Sequence, residues 1–286
     1  MTCTHPPCAT RPKPLHDIAD DDSASRPYPA DRGPDAIAFA QSQFSNNIAA
    51  LPNGRWQFSA WLDAQGRVRA LFHLLRLDDE RLLLLLRGDH PDELASSLQQ
   101  FVFRAKVRLT HSSSSMLACG PARPIFDVNC DGDLIELGCG NHSLLCGNHL
   151  SGDDSWRRLQ LLDGWAWLPE AATNTLLPPA LSMYRLPAVA LDKGCYPGQE
   201  IVARLHYRGR HKRHLHRVKL SQAVSHGTVL HVEHDDAVQL LQVLPHEHGA
   251  EALAVLSDEL AERFPHGSEV ASDEGPSLRL ETGWSD

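Results

Sequence analysis

The stretch "DKGCYPGQEIVARLHYRG", residues 192–209, combines a thiol with turn-forming residues and a basic segment. Its glycines and Pro197 predict a sharp backbone turn, because glycine reaches conformations closed to other residues and proline fixes its own φ angle. Such a loop exposes amide N–H groups and side chains to a ligand. Cys195 follows Lys193 and precedes several Arg and His residues, an electropositive neighbourhood that favours a reactive thiol. The alternative is a tight connection in which Cys195 is buried as a small apolar residue.

The composition is typical of a soluble globular protein. The 286 residues are 42% hydrophobic and 22% charged, with a mean hydropathy of -0.31, and they can bury a sizeable core. The longest aliphatic run, Leu82 to Leu86, is far shorter than the roughly 20 residues that a membrane helix needs. No apolar stretch of about 7–15 residues follows Arg11 and Lys13, which argues against a secretory signal. We therefore expect a cytoplasmic protein with no membrane partner.

The cysteines do not indicate a disulfide framework or a metal site. Their number, seven, is odd and they are spread along the chain, so reduced thiols are expected. Cys139 and Cys146 alternate with His142 and His149, but no CxxC or HxxxH pair occurs at the spacing of zinc ligands. The sequence therefore predicts no metal site.

The net charge of -9 is distributed unevenly. Residues 204–219 contain seven Lys or Arg, four His and no acid, whereas residues 231–286 contain thirteen acids and two bases. The basic run could attract an anionic ligand or RNA. It could equally be a solvated pair of strands whose charge balances the acidic tail. With Tyr207 as its aromatic residue and a negative overall charge, nucleic acid is not the expected partner.

The first part of the chain predicts an α+β arrangement. A mobile, proline-rich leader is expected over residues 1–33, and a helix is expected in "GPDAIAFAQSQFSNNIAAL", because apolar residues recur there at helical spacing. Strands of a meander follow at "RWQFSAWLD", "VRALFHLLRL" and "RLLLLLR", then an amphipathic helix at "PDELASSLQQFVF" and a strand at "AKVRLT". Helices that lie on an antiparallel sheet are typical of this class.

The second part has weaker signals in its middle and clearer ones at its end. Short strands are expected near "IFDVN" and "LIELG", and Trp156, Trp165 and Trp167 are expected to pack in a core or lid. Beyond His206, short strands at near-regular spacing predict a small C-terminal β-barrel. The predicted domains are the leader, an α+β region over 34–214 with modules 34–112 and 113–214, and the barrel over 215–286.

Two motifs resemble those of a known family. The residues "KGCYPGQE" (193–200), followed by "IVAR" and "YRG", resemble the K-G-C-Y-x-G-Q-E signature of the YgfZ-like folate-binding proteins, which are relatives of the aminomethyltransferase (T-protein) of the glycine cleavage system. In addition, "FAQSQFSNNI" (39–48) is similar to the family's Q-x-Q-x-T-N-D helix end, and "LDAQGRV" (62–68) to the glycine turn that follows it. The resemblance covers most of residues 33–286.

The resemblance implies aminomethyltransferase-like folate-binding modules with antiparallel sheets around a central pocket, plus the barrel. The cofactor implied is tetrahydrofolate or a one-carbon derivative, because amide and carboxylate groups suit its pterin and cations suit its glutamate tail. Cys195 would be the reactive thiol. The implied folate-binding residues are Gln41, Gln43, Asn46, Asp163, Lys193, Tyr196, Gln199, Glu200 and Arg204, the last of these on a basic strand.

Three positions depart from the family pattern. Ala70 and Leu71 stand where the transferases have an acidic pair, and an apolar residue cannot exchange a proton, so aminomethyl transfer is disfavoured. The acid of the family's R-x-E-A-G segment corresponds to Asp163, one place away from the expected glutamate. The P-Q-A-T-N-L segment is reduced to "PPALSM" (178–183), which loses an asparagine and a glutamine.

The resemblance implies a monomeric folate-binding accessory protein that supports iron–sulfur cluster assembly or repair and, indirectly, tRNA modification. Iron–sulfur enzymes or assembly proteins would be its clients. One competing hypothesis is an enzyme, an aminomethyltransferase or folate-dependent demethylase that uses Asp163 or Glu200 as its carboxylate. Another is an RNA-interaction module built on "RGRHKRHLHR" (208–217), whose binding would weaken with salt.

Overall fold

The structure is a computed structural model. It describes the backbone of residues 15–19, 33–88, 91–111, 116–148, 150–151, 154–209, 211–233, 236–264 and 267–284, and the side chains of these residues except 15–19, 91–93, 111 and 236. No helix within these ranges is long and apolar enough to span a lipid bilayer.

The first sheet contains the predicted meander. All its strands are antiparallel, in the order β2-β3-β4-β1-β5. The strands are β1 (Leu15–Ala19), β2 (Arg55–Leu62), β3 (Val68–Arg76), β4 (Leu82–Leu86) and β5 (Arg108–His111). The β2–β3 turn forms because Asp63 Oδ1 accepts hydrogen bonds from the amides of Gln65 and Arg67, while Gly66 takes a φ of +75°. The three predicted meander strands are confirmed.

Strand β1 differs from the expected leader. Its backbone pairs with β4 on one side and with β5 on the other, Leu15 opposite Leu85 and His16 opposite His111. These five residues are therefore part of the sheet, which their non-alternating sequence "LHDIA" did not indicate. The rest of the predicted leader, residues 1–14 and 20–32, lies outside the described residues.

Two helices cover one face of this sheet. They are α1 (Ala36–Gln43) and α2 (Pro91–Gln99), and both were predicted. Phe39, Phe44 and Ile48 pack against Phe72 in a core cluster between the helices and the sheet. Helix α1 ends eight residues before Leu51, the end of the predicted segment, because the chain after Gln43 bonds to other parts of the molecule, as described below.

The second sheet has four antiparallel strands in the order β6-β9-β8-β7. Its strands and the following helix are β6 (Met116–Gly120), β7 (Val128–Asp131), β8 (Leu134–Gly138), β9 (Ser143–Gly147) and α3 (Ser155–Leu162). Two strands were expected near β7 and β8. Strands β6 and β9 and helix α3 were not predicted.

The signature stretch leads through helix α4 (Gln199–Arg208) into the third sheet. Its order is β11-β12-β13-β10-β15-β14, and the amide of Asp273 donates to His231 O at 2.8 Å, which links the two edges into a nearly closed barrel. The elements are β10 (Arg213–Leu220), β11 (Val229–Val232), β12 (Asp236–His246), β13 (Gly249–Ser257), α5 (Asp258–Arg263), β14 (Glu269–Val270) and β15 (Leu278–Trp284). The predicted barrel is confirmed.

The three sheets share one central core. It contains residues of the first sheet such as Leu71, of the second such as Leu144, and of the barrel such as Leu253. Trp156, Trp165 and Trp167, which are 1–6% exposed, belong to it, as the sequence predicted. Because all three sheets contribute to one apolar cluster, the signature stretch, which lies between the second sheet and the barrel along the chain, is held by elements from the whole molecule.

Candidate functional site

The signature loop, residues 193–198, rests on the glycine turn between β2 and β3. Gly198 has a φ of +77°, and a Cβ atom placed there would lie 2.5 Å from Asp63 O and 2.6 Å from the Cα of Gly66. Backbone meets backbone at these distances, so only glycine fits. The two family-like motifs, "LDAQGRV" and "KGCYPGQE", are therefore in direct contact, and the predicted sharp turn is confirmed.

The ammonium group of Lys193 joins this loop to the end of α1. It donates hydrogen bonds to the carbonyl oxygens of Gln41, Phe44 and Asn46, the last at 2.9 Å. Lys193 is 4% exposed, and burial lowers its pKa to about 8, so it remains mainly cationic at pH 7. An ammonium has three donors, and all three are used within the chain. Lys193 thus organises the site, and no donor is left for a folate tail.

Gln41 and Asn46 also bond to the backbone. Gln41 Oε1 accepts from the amides of Ile48 at 2.7 Å and Ala49 at 3.0 Å. Asn46 Nδ2 donates to Phe58 O at 2.8 Å and to Pro187 O at 2.6 Å. These bonds tie the end of α1 to β2 and to the segment before the signature loop. Polar groups satisfied in this way stabilise the wall of the site.

Tyr196 is buried beneath the loop, whereas Cys195 is exposed. The Tyr196 hydroxyl donates to Ala190 O at 3.3 Å, its ring lies 5.0 Å from the Lys193 ammonium, and burial raises the pKa of its hydroxyl. Cys195 is a free, exposed thiol, and a Cβ at Gly194 would meet nothing within 4 Å. The loop therefore presents the Cys195 thiol on an open side, and the alternative of a buried Cys195 is wrong.

Helix α4 carries the remaining residues of the signature. Gln199 is half-buried in its first turn, and Glu200 and Arg204 are exposed one turn apart. Arg204 lies on a helix and not on the basic strand that the sequence led us to expect. The correction has a local cause: Ile201, Val202 and Leu205 recur at helical spacing between two glycines.

Asp163 lies in a different environment. It follows α3, and burial raises the pKa of its carboxyl, an effect that Arg185 partly offsets. The next residue, Gly164, packs against the Trp284 ring, where an added Cβ would lie at 2.7 Å, and its carbonyl accepts from Arg185 Nη2 at 2.8 Å. The described contacts thus group Asp163 with Arg185 and the end of the barrel, whereas those of Gln41, Asn46, Lys193 and Tyr196 form one cluster.

Apolar packing occupies the positions that depart from the family. Leu71 is fully buried in the central core, and Ala70 lines a cavity of about 110 Å³ between the first sheet, α2 and residues 168–174. Ligand sites for drug-sized molecules measure roughly 300–1,000 Å³, so this cavity is too small for a folate. Ser182 has a φ of +52°, and its hydroxyl donates to Trp284 O at 2.8 Å.

A buried polar cluster was missed from the sequence. Arg87 is 2% exposed and donates to Ala166 O at 2.8 Å, Trp165 O at 2.7 Å, Gln160 Oε1 at 2.5 Å and His73 Nε2 at 2.9 Å. Burial lowers its pKa to about 9, so it stays cationic at neutral pH. An arginine directly after five leucines was the available signal. The cluster fastens β4 to the segment that follows α3.

The histidine in this cluster must be neutral. His73 Nε2 accepts from Arg87, so the ring proton lies on Nδ1, which has no hydrogen-bond partner among the described residues. Burial, and then the Arg87 charge, keep the pKa of His73 well below its usual value. Cys139 is buried nearby, and burial raises its pKa to about 12, so this thiol is unreactive.

Metal ligands are not assembled in the described part of the chain. No group of three or more His, Cys, Asp or Glu residues there is arranged to hold a metal ion. None of the cysteines described, at positions 119, 130, 139, 146 and 195, forms a disulfide bond.

Comparison with solved structures defines the class of fold. The structure matches the glycine cleavage system aminomethyltransferase T from Bartonella henselae with a TM-score of 0.64, over 94% of this chain and 82% of that chain, at 14% sequence identity. The protein therefore has the α+β aminomethyltransferase-like fold, with antiparallel sheets and a C-terminal barrel.

Sequence relatives narrow the assignment. The chain is 27% identical over 188 residues to an uncharacterized protein of Haemophilus influenzae, and 25% identical over 207 and 218 residues to the tRNA-modifying protein YgfZ of Vibrio atlanticus and of Edwardsiella ictaluri. Each match covers 64% of this chain and 66%, 64% and 65% of the respective relative, just under two thirds of its length. No family model matches the chain. The chain is therefore similar in sequence to YgfZ proteins and has the aminomethyltransferase-like fold.

Proposed function

We propose that this protein is a folate-binding accessory factor of the YgfZ type, which supports iron–sulfur cluster assembly or repair and, through cluster-dependent enzymes, tRNA modification. The relatives named tRNA-modifying protein YgfZ and the aminomethyltransferase-like fold support this role. One observation carries it: the exposed Cys195 thiol stands on a loop that Lys193 and Gly198 hold rigidly against two other motifs. In this proposal the protein is a cytoplasmic monomer.

In this proposal the folate binds on the open side of the signature loop. Gln199, Glu200 and Arg204 keep their side-chain polar groups available, whereas Gln41, Asn46, Lys193 and Tyr196 bond to backbone carbonyls or amides. Arg204 would bind the glutamate tail, and Gln199 and Glu200 would accept from pterin N–H groups. Tetrahydrofolate, when bound, supplies a carrier for one-carbon units.

Gln43 adds a further acceptor near the loop. Its Oε1 atom is buried without a hydrogen-bond partner among the described residues, while its Nε2 donates to Ser42 Oγ at 3.2 Å. A buried acceptor without a partner is costly, and a ligand donor or an ordered water would relieve that cost. We include Gln43 in the proposed site because Lys193 contacts the carbonyl groups of Gln41 and Phe44 on either side of it.

Cys195 acts in this proposal by transient ligation or thiol exchange. A permanently bound iron–sulfur cluster usually requires four cysteine ligands, whereas the loop offers one exposed thiol. Exchange between a thiol and a client disulfide or metal needs access, which the open side of the loop provides. Clients would be iron–sulfur enzymes or the proteins that assemble their clusters.

One observation favours the competing class, a folate-dependent transferase or demethylase. The raised pKa of the Asp163 carboxyl is a property of catalytic acids. Its described contacts, however, are with Arg185 beside the barrel, and the sequence resemblance places Leu71, an apolar residue, where the transferases have an acid. Turnover of methylene-tetrahydrofolate that disappears in Asp163→Asn would support the enzyme and contradict the accessory role.

The thiol is tested by complementation in cells that lack their own YgfZ-type protein. Cys195→Ala should lose function while its unfolding free energy stays within about 0.5 kcal/mol of wild type, because the residue is exposed. Cys130→Ala is the matched control, since Cys130 is also an exposed free thiol. Full complementation by Cys195→Ala would remove the thiol from the mechanism.

The folate site is tested by calorimetric titration with tetrahydrofolate. Arg204→Ala should weaken binding about tenfold or more, because a hydrogen bond to a charged group contributes roughly 1.5–3 kcal/mol and 1.4 kcal/mol is a factor of ten. Arg104→Ala, which removes another exposed arginine, is the control. An unchanged dissociation constant in Arg204→Ala would contradict the proposed placement of the folate tail.

A further inference from the structure

A second, larger cleft lies at the far end of helix α4. Its volume is about 740 Å³, and it opens between the end of α4, the connection into the barrel and helix α5. This volume is within the range of roughly 300–1,000 Å³ that is typical of small-molecule sites. The cleft shares none of its lining residues with the signature loop or with Gln199, Glu200 and Arg204.

One part of the cleft is apolar and aromatic. Pro179, Tyr184 and Leu205 line it, and the Tyr184 ring lies 5.0 Å from the ring of His206. The Tyr184 hydroxyl donates to Val202 O at 3.1 Å, which fixes the orientation of the ring. An aromatic pair held at this distance offers a flat ligand both faces and edges for contact.

The polar part of the cleft has two sides of opposite character. His211, Lys212 and His214 lie on the connection into the barrel, and three acids, Asp258, Glu259 and Glu262, lie on α5. His214 Nδ1 and Asp258 Oδ1 are 2.5 Å apart, so this pair joins the two sides.

His211 is also one of the residues that line the cleft. Its Nε2 atom is buried without a hydrogen-bond partner among the described residues. Burial lowers the pKa of His211, so its ring is neutral at pH 7 and has one donor and one acceptor nitrogen.

Simple ligands do not match the residues that line the cleft. A bare metal ion does not fit, because the described residues contain no group of three or more metal ligands. A small inorganic anion would pair with Lys212 but make no use of the acids of α5 or the Tyr184 ring, and an apolar molecule would make no use of the charged side chains. The matching ligand has hydrogen-bond donors for the acids, an aromatic ring for Tyr184 and negative charge for Lys212.

We propose that this cleft binds an amino-substituted fused heteroaromatic ring that carries an anionic tail. The ring packs on Tyr184 and His206, its amino and N–H groups donate to both Glu259 and Glu262, and the tail binds Lys212. Two kinds of molecule have this chemistry: purine nucleotides and the pterin-glutamate of folates. The site is independent of the folate position proposed at the signature loop.

The test is calorimetric titration of the full-length protein with AMP, GMP and folic acid. Ribose 5-phosphate, which has an anionic group but no aromatic ring, is the control probe. At least one ring-bearing probe should bind with a dissociation constant below about 1 mM. Glu262→Gln and Lys212→Met should each weaken that binding about tenfold or more, since each removes a charge-assisted contact. Glu274→Gln and Lys106→Met, which alter exposed residues elsewhere, are the matched controls and should leave it unchanged.

The outcomes separate the two sites. Purine binding that depends on Lys212 and Glu262 supports a nucleotide in the cleft, and folate binding with that dependence supports a second folate position. Folate binding that is lost in Arg204→Ala and kept in Glu262→Gln belongs to the signature loop alone. The cleft inference is overturned if no ring-bearing probe binds up to millimolar concentration, if binding ignores both cleft variants, or if ribose 5-phosphate binds equally well.

Discussion

Replacing Gly198 by alanine tests whether the signature loop is held by backbone contact with the β2–β3 turn. The added Cβ would lie 2.5 Å from Asp63 O and 2.6 Å from Gly66 Cα, atoms that cannot rotate away. The residue also has a φ of +77°, which costs an L-residue about 1–2 kcal/mol, and overpacking adds about 1–3 kcal/mol. The expected loss of unfolding free energy is therefore about 2–5 kcal/mol.

Gly194→Ala is the matched control, four residues away in the same loop. Gly194 has a φ of +59°, but a Cβ there would meet nothing within 4 Å, so only the backbone cost of about 1–2 kcal/mol applies. Denaturant unfolding of both variants should show Gly198→Ala less stable than Gly194→Ala by about 1–3 kcal/mol. Equal losses in the two variants would mean that the loop can move away from the turn, and the described contact between Gly198 and the β2–β3 turn would be wrong.

Two further predictions concern the buried cations and the histidine beside them. Lys193→Ala should cost about 3 kcal/mol or more of unfolding free energy, because it leaves three carbonyl groups without their donor. The control is Lys219→Ala, which removes a half-exposed ion pair and should cost less than about 1 kcal/mol. Equal costs in the two variants would contradict the structural role of Lys193. The pKa of His73 is lowered in the folded chain, so the unfolded chain binds the proton more tightly. The unfolding free energy should therefore fall as the pH drops below about 6.5, by up to about 1.4 kcal/mol per pH unit. His73→Gln keeps an acceptor for Arg87 but does not titrate, so its urea midpoint should fall less between pH 7 and pH 5 than that of wild type. An identical fall of the urea midpoint in the two proteins would remove His73 as the cause.

Strands with a clear hydrophobic pattern could be predicted from the sequence. The β2–β3–β4 meander has long apolar runs separated by turn residues such as Gly66, and the barrel has short strands at regular spacing. Strands β6 and β9 were not predicted, because "MLACG" and "SLLCG" are short and end in glycine, which weakens any strand signal. Strand β1 depends on pairing with both its neighbours, which no local pattern encodes.

The sequence indicated where a candidate site lies, but it did not indicate the contacts that the residues of this site make. The sequence motifs indicated Cys195 and its loop, and the structure brings that loop against the other two motifs. The family resemblance predicted that Lys193 binds the folate. Its actual partners are three carbonyl groups about 150 residues away in sequence, and contacts at such a separation follow from the fold alone.

The shared central core has a consequence for how this chain can be divided. Leu215, Leu241, Leu253 and Val255 belong to the barrel by sequence, yet they pack in the same cluster as residues of the first two sheets. Cutting the chain at residue 215 would expose apolar surface on both fragments. We therefore expect neither fragment to reach the stability of the intact chain, and an exchange of the barrel between relatives to disturb the core that it shares with the first two sheets.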